Sequence, residues 1–188
     1  EFHHAAAPTY ERLLNHLTPE VLLGLTATPE RADGRSVLDW FDGRFAAEVR
    51  LWDAIEGAQL CPFQYFGVHD DVDLSALEWK RGGYDLAALQ GVYTGNEARL
   101  TKILHSLGEI VDDPLRMRAL GFCVSVDHAN FMAESFTRVG IPSVAVSGDT
   151  RADERAAALR MLKSGDVNCV FAVDLFNEGI DVPAIDTV

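Results

Sequence analysis

Three short stretches carry residue types able to do chemistry, and each stands beside an apolar run. The first is Glu1-Phe2-His3-His4, ahead of a helical pattern, where a carboxylate and two imidazoles offer donor atoms for a metal ion. The second is Leu25-Thr26-Ala27-Thr28-Pro29-Glu30-Arg31, in which two hydroxyls flank an alanine where an apolar run ends. The third is Asp174-Leu175-Phe176-Asn177-Glu178-Gly179-Ile180-Asp181-Val182-Pro183. Its glycine lets a ligand approach the backbone, and Asp181 offers a carboxylate to the hydroxyls of a sugar. Singly, each has a plainer reading: a frayed terminus with incidental histidines, a helix cap or Ser/Thr turn, and a loop with a glycine at positive φ.

The elements that must position these stretches follow from hydropathy. Residues 7–17 read as a helix, with Pro8 in the first turn and Tyr10, Leu13, Leu14 and Leu17 on one apolar face. Residues 20–25 form an apolar run expected to be a buried strand leading into Thr26-Ala27-Thr28-Pro29. Residues 36–59 read as partly helical, and 62–95 hold two strand-like pieces, an acidic stretch (Asp70, Asp71, Asp73) and a Gly82-Gly83 turn. A helix is expected over roughly 96–111, then a strand over Ala119–Ser125. Asp127 is placed to cap the next helix, whose apolar residues are Ala129, Met132, Phe136 and Val139 and which Gly140 ends. A short strand, Ser143–Val146, precedes a helix capped by Thr150 with Asp153 and lined by Ala156, Leu159 and Leu162. Gly165 stops that helix, Asn168–Val173 is the next buried strand, and Ile185–Val188 reads as a strand beginning. Strand alternating with helix at this spacing means an α/β fold, a parallel sheet with helices on both faces. In such sheets polar chemistry collects at the carboxyl ends of the strands.

Composition narrows the class. With 188 residues, 48% of them hydrophobic, the chain can bury a sizeable core, which excludes a disordered tail or a disulfide-stapled mini-protein. No apolar run reaches the roughly 18–20 residues that span a bilayer, so no membrane partner is expected. Sixteen basic against 29 acidic residues leave a net charge of −13, which argues against a surface coated for nucleic acid but leaves room for one basic strip. Cys61, Cys123 and Cys169 sit apart with no CxxC pair and read as reduced core thiols of a cytoplasmic protein. The chain opens without methionine and stops inside an apolar stretch, as a piece of something longer would.

In their order and spacing the three stretches resemble the superfamily 2 helicases and translocases, in the DEAD/DEAH-box branch with a DExH second motif. Trp40-Phe41-Asp42-Gly43-Arg44 and Asp174–Gly179 look closer to bacterial DNA repair and restriction-type helicases than to RNA DEAD-box proteins. The resemblance implies a RecA-like α/β fold, with residues 1–60 the C-terminal part of a first, ATP-binding lobe and 61–188 most of a second. The first lobe would then lack its central strands and could associate through the exposed edge; oligomeric state is otherwise open. It implies ATP and Mg²⁺ as cofactors and nucleic acid, duplex DNA foremost, as partner. Glu1 matches the Walker B residue that orients and helps deprotonate the attacking water, and His3 the residue that couples nucleotide to the second lobe. Thr26 and Thr28 match motif III. Phe122 to Ser125, with His128 just after, match motif IV. Ser147-Gly148-Asp149-Thr150 and Arg155 match the loop and helix that follow. Gly179 and Asp181 match motif V, which meets the ribose. Nucleic-acid contact is expected from the loops around Ser125 to Asn130, including His128, and from Ser147, Gly148 and Arg151, which could offer hydroxyls, N–H groups and one arginine to phosphates. Arg151 reads equally well as a solvated residue at a helix start.

The match has gaps. The Mg²⁺-holding Asp expected before Glu1 is not in the chain, no GxxxxGK[ST] phosphate loop occurs, and Val173 stands where motif V opens with threonine. By itself the chain is therefore expected not to hydrolyse ATP. Two other readings stand beside this one: a non-catalytic α/β binding module, and a metal hydrolase built on Glu1, His3 and His4, for which His128 is the one other histidine at a strand end.

Overall fold

A computed structural model of the chain describes all residues except 1, 31–35, 70–73, 76, 78, 81–82 and 177–181. Its contacts divide it into two compact units, Glu1–Tyr65 and Phe66–Val188.

The first unit is built from short pieces. A 3₁₀ turn, Phe2–Ala6, leads into helix α1, Pro8–His16, and a second 3₁₀ turn, Val37–Phe41, precedes helix α2, Leu51–Glu56. Pro8 opens α1 as expected, because its missing N–H costs nothing in a first turn. The apolar face of α1 is not buried, however, and Tyr10, Leu13 and Leu17 stay exposed. Residues 20–25 are not a strand. A strand needs a ladder partner, and among the described residues of this unit there is none, so the run stays extended with Val21, Leu23 and Leu25 facing solvent. One backbone bond, from Phe2 N–H to Leu25 C=O at 2.8 Å, ties it down. Gly24 lets it pass close: a Cβ there would stand 2.6 Å from Phe41 Cζ and 2.8 Å from Phe2 Cγ. Those two rings meet edge to face at 4.8 Å; Ala5, Val37 and Ala54 are the buried apolar residues described in this unit.

The second unit holds a parallel sheet. After a two-residue hairpin (β1, Trp79–Lys80; β2, Gly83–Tyr84) come α3, Leu86–Tyr93, which the strand-like reading of 62–95 did not foresee, and α4, Glu97–Ile110. Both helices carry side-chain caps: Asp85 accepts from Ala88 N–H at 3.0 Å and Asn96 from Arg99 N–H at 3.0 Å. Then follow β3 (Ala119–Phe122), α5 (Val126–Arg138), β4 (Ser143–Val146), α6 (Ala152–Ser164) and β5 (Cys169–Ala172), with the strands parallel in the order β3-β5-β4.

Helices cover both faces, and the two core clusters show how. Cys169, Phe171 and Val173 pack with Leu100 of α4 and with Ala129, Met132 and Phe136 of α5. Their alternates Val170 and Ala172 pack with Ala158 and Leu162 of α6. A strand buried on both faces has no polar alternation, which is why the sequence over 168–173 is uniformly apolar after its first residue. Where β3 passes β5, Gly121 leaves room for the Phe171 ring: an added Cβ would lie 2.5 Å from Phe171 Cδ1. Thr187 pairs in parallel with Ala119, and its carbonyl accepts from Leu120 N–H at 3.1 Å, so the closing stretch meets β3 in one isolated bridge rather than as a strand.

Several details differ from the sequence reading. Ser125, not Asp127, caps α5: it is extended at φ −156° and its Oγ accepts from His128 N–H at 3.2 Å, whereas Asp127 already lies in the first turn. Arg151, not Thr150, occupies the N-cap of α6, because the Thr150 hydroxyl is engaged by Ser147 N–H at 2.9 Å. Val139 falls just past the end of α5 and is exposed, and the inner face of α6 is Ala158 and Leu162 while Ala156 faces solvent. Gly140 and Gly165 end their helices at φ 90° and 91°, as expected. Cys61 is exposed rather than a core thiol, Cys123 is half-buried and Cys169 buried, all three free. Among the described residues no helix is long and apolar enough to cross a membrane.

Candidate functional site

In the first unit the structure brings together two of the stretches singled out in the sequence. His3 Nδ1 lies 3.2 Å from Thr26 Oγ1, and the same oxygen accepts from Thr28 N–H at 3.1 Å. One hydroxyl thus joins the 3₁₀ turn that carries His3 to the Ser/Thr turn at the end of the extended run. Thr26 lines an open groove with Phe2, Pro29, Val37 and Phe41. At its edge Arg50 pairs with Glu30 at 2.5 Å and with Glu48. The Arg50 hydrogen bond holds the Glu30 carboxyl below its usual range, and Glu30 in turn raises Arg50. Glu1 lies outside the described residues. Among those described, no three His, Cys, Asp or Glu side chains gather as a metal site would require.

In the second unit, parallel strands put all their carboxyl ends on one rim. At the end of β3, Cys123 N–H is tied to Ala172 C=O at 2.8 Å, and Val124 N–H donates to His128 Nδ1 at 3.4 Å. Ser125 Oγ is an acceptor in its cap bond, which leaves its O–H free to donate. His128 does not reach solvent as a direct contact residue would: it is 5% exposed, and its ring stacks on Tyr93 with centroids 5.8 Å apart and planes at 17°. The Arg99 guanidinium sits 4.4 Å from the centroid of the same Tyr93 ring. His128 Nε2 and Thr94 Oγ1 are buried without a hydrogen-bond partner among the described residues. Burial, and next the charge of Arg99, lower the His128 pKa. Burial pushes the Cys123 thiol up to about 12, with Arg99 pulling weakly the other way, and raises Cys169 further.

At the end of β4, Ser147 is buried and its loop closes on itself: Thr150 N–H donates to Ser147 C=O at 3.1 Å, opposite the bond from Ser147 N–H to Thr150. Gly148 is exposed. Arg151 has its side chain 75% exposed but engaged: its Nε and Nη2 donate to the two Asp153 carboxylate oxygens at 3.1 and 2.8 Å. At the end of β5, Val173 N–H donates to Val146 C=O at 3.2 Å; Gly179 and Asp181, beyond it, lie outside the described residues. Sequence reasoning missed Tyr93, Arg99 and Asp153. The first two are signalled only by tertiary packing; Asp153 is legible as an acid two residues beyond Arg151, a position that also suits a helix cap.

Residues 101–188 match the helicase conserved C-terminal domain, and residues 1–31 match the family described as type III restriction enzyme, res subunit. A 51.5 kDa protein of a Lactococcus phage (isolate 7-9) is 28% identical over 187 residues, which cover 97% of this chain and 39% of that protein. The putative ATP-dependent helicase IRC3 of Saccharomyces cerevisiae is 28% identical over 197 residues, covering all of this chain and 28% of that protein. The chain therefore spans well under half the length of these relatives. The Escherichia coli DEAD-box protein SrmB, solved with the regulator RraA, is 24% identical over 46% of this chain and 48% of its own, with a TM-score of 0.39.

Proposed function

We propose that the chain is part of an ATP-driven helicase or translocase of superfamily 2 acting on nucleic acid, with duplex DNA as substrate; the matches of residues 101–188 and 1–31 to helicase-type families support this reading. The observation that carries this reading is the His3–Thr26 hydrogen bond. It joins the stretch holding the water-orienting carboxylate to the stretch that passes on the state of the nucleotide. The match of residues 1–31 to a restriction-enzyme subunit supports DNA over RNA.

ATP with Mg²⁺, when bound, supplies phosphoryl transfer, a reaction that needs in-line positioning and charge neutralisation more than covalent help. In this reading Glu1 orients the attacking water, and His3 relays its setting to Thr26 and Thr28. Gly179 and Asp181 take the ribose. The rim formed by Ser125, Ser147, Gly148 and Arg151 meets phosphates, with His128 beneath it. Residues 1–60 serve as the tail of an ATP-binding RecA-like lobe and 61–188 as the second lobe, in a reducing cytoplasm suited to three free thiols. Without a GxxxxGK[ST] loop the chain alone does not hydrolyse ATP; tight ATP binding by it would overturn that statement.

The test is ATP hydrolysis by the intact protein containing this chain, with and without duplex DNA, single-stranded DNA and RNA, beside Glu1→Gln. Stimulation by a nucleic acid, abolished in Glu1→Gln while ATP still binds, is the expected result, and the best stimulator names the substrate. Turnover that no nucleic acid stimulates, or that survives Glu1→Gln, overturns the motif reading and leaves an α/β domain whose role the motifs do not assign.

A further inference from the structure

The rim turn at Cys123–Ser125 is held from below by a stack of His128 on Tyr93 and Arg99, of which the last two belong to none of the motifs. His128 has one ring hydrogen bond, the long one from Val124 N–H at 3.4 Å, and its Nε2 is buried without a partner among the described residues. So weak a bond does not by itself fix the plane of the ring. What fixes it is the near-parallel Tyr93 ring. Tyr93 is the last residue of α3, and its own ring is met by Arg99 in the first turn of α4, whose backbone N–H is tied to the Asn96 cap. A second link, Gln90 Nε2 to Asp127 Oδ2 at 2.6 Å, joins α3 to the start of α5. A stack running from α4 through α3 thus ends on one residue of α5, and His128 holds Val124 through its ring, which accepts from Val124 N–H, and Ser125 through its backbone N–H, which donates to Ser125 Oγ.

We propose that Tyr93 and Arg99 are positioning residues for nucleic-acid binding, acting through His128 to hold the Cys123–Ser125 turn so that the Ser125 hydroxyl faces a phosphate. The proposal rests on the nucleic-acid reading given above and adds to it the residues that set the geometry of the turn. The ring of Tyr93, rather than its hydroxyl, does the holding, so Tyr93→Phe retains the function and Tyr93→Leu loses it. His128 accepts from Val124 only while neutral, since a protonated imidazole is a donor at both nitrogens. The titratable or charged groups around it are Arg99 on α4, Tyr93 on α3, Cys123 at the end of β3 and Asp127 beside it on α5.

Two readouts on the 188-residue chain decide the matter: amide hydrogen exchange, and NMR titration with a short DNA duplex. In Tyr93→Leu the Val124 and His128 amides are expected to exchange about tenfold faster while those of β4 and β5 are unchanged, as for a local opening. The duplex is expected to shift the amides of Val124 to His128 in the unaltered chain and to bind roughly tenfold more weakly to Tyr93→Leu and Arg99→Gln. Tyr93→Phe should match the unaltered chain in both. Unchanged exchange at Val124 in Tyr93→Leu, an equal rise across the whole sheet, or failure of Tyr93→Phe to rescue would each overturn the positioning role. A duplex that shifts none of these amides in the unaltered chain would overturn the nucleic-acid part together with the reading it rests on, whatever the exchange rates.

Discussion

His3 and Thr26, 23 residues apart in sequence, share a hydrogen bond of 3.2 Å between Nδ1 and Oγ1, and Thr28 N–H closes on the same oxygen at 3.1 Å. Removing the hydroxyl breaks both links while leaving the backbone run in place. Thr26→Val in the intact protein is therefore expected to leave basal ATP turnover standing and to cut its stimulation by nucleic acid roughly tenfold, a loss of about 1.4 kcal/mol in coupling. Thr26→Ser, which keeps the oxygen, should restore it. The ratio of stimulated to basal turnover is the measurement; a ratio unchanged in Thr26→Val would remove this bond from the path.

Gly121 sits where β3 meets the Phe171 ring, and that ring is itself wedged edge-on against Phe136 at 5.0 Å. Neither aromatic can withdraw without opening the core around Met132 and Ala129. Gly121→Ala is expected to destabilise the second unit by about 1–3 kcal/mol, the usual cost of overpacking. Urea unfolding followed through this unit checks it. Phe171→Leu in the same background should recover part of the loss, and a Gly121→Ala chain as stable as the original would mean that the ring has room to move.

These residues also show why the sequence was more legible in one half than in the other. Between Ala119 and Val173 each strand is a short apolar run, with helices of clear period between them, so local pattern and global fold agree. Residues 20–25 carry the same kind of run, yet hydropathy cannot report whether a ladder partner exists. Val21, Leu23 and Leu25 consequently stay exposed. Cap positions moved by one or two residues because Ser125, Asp127, Thr150 and Asp153 are all capable caps, and only the backbone angle selects among them. His3 is legible ahead of a helix, Thr26 and Ser125 at the ends of apolar runs, and Arg151 at a helix start. Tyr93 and Arg99 are not, because a stack between helices leaves no spacing signature.

The buried His128 sets a pH dependence with a definite sign. Its pKa in the folded chain lies below the unfolded value of about 6.5. The unfolded chain thus takes up the proton first as pH falls, and stability declines from about pH 6.5 downward until the folded-state pKa is passed; above that range the contribution is complete. His128→Asn keeps an acceptor near the Nδ1 position and removes the titration, so it should be less stable at neutral pH but flatter with acid. Urea midpoints at a series of pH values compare the two, and equal slopes would assign the acid sensitivity elsewhere.

Thiol reactivity reads the packing at three depths. Cys61 is exposed, Cys123 is half-buried with its pKa pushed up to about 12, and Cys169 is buried and pushed higher. Since the thiolate is the reactive form, a maleimide or disulfide reagent near pH 8 should modify Cys61 first and leave the other two until the second unit opens. Mass spectrometry of the time course checks the order. Early modification of Cys123 would contradict the packing of the turn that His128 supports.

Arg151 is the one exposed cation described within the two rim turns, and its fork is held by Asp153, so the two should have opposite effects. An exposed pair of this kind is worth little, because water screens it and two side chains must be ordered to make it. A phosphate can therefore compete for the guanidinium, at the cost of leaving the Asp153 carboxylate near the new anion. Arg151→Ala is expected to weaken nucleic-acid binding across sequences and to reduce the salt slope by about one. Asp153→Asn should tighten binding and leave that slope in place, after allowing for about 0.3–1 kcal/mol of helix stability lost when an acid leaves the first turn of α6. Titration of a labelled duplex at several salt concentrations separates the outcomes. If Arg151→Ala keeps the original slope, the arginine is a solvated helix start and phosphate contact falls to the Ser125 and Ser147 turns alone.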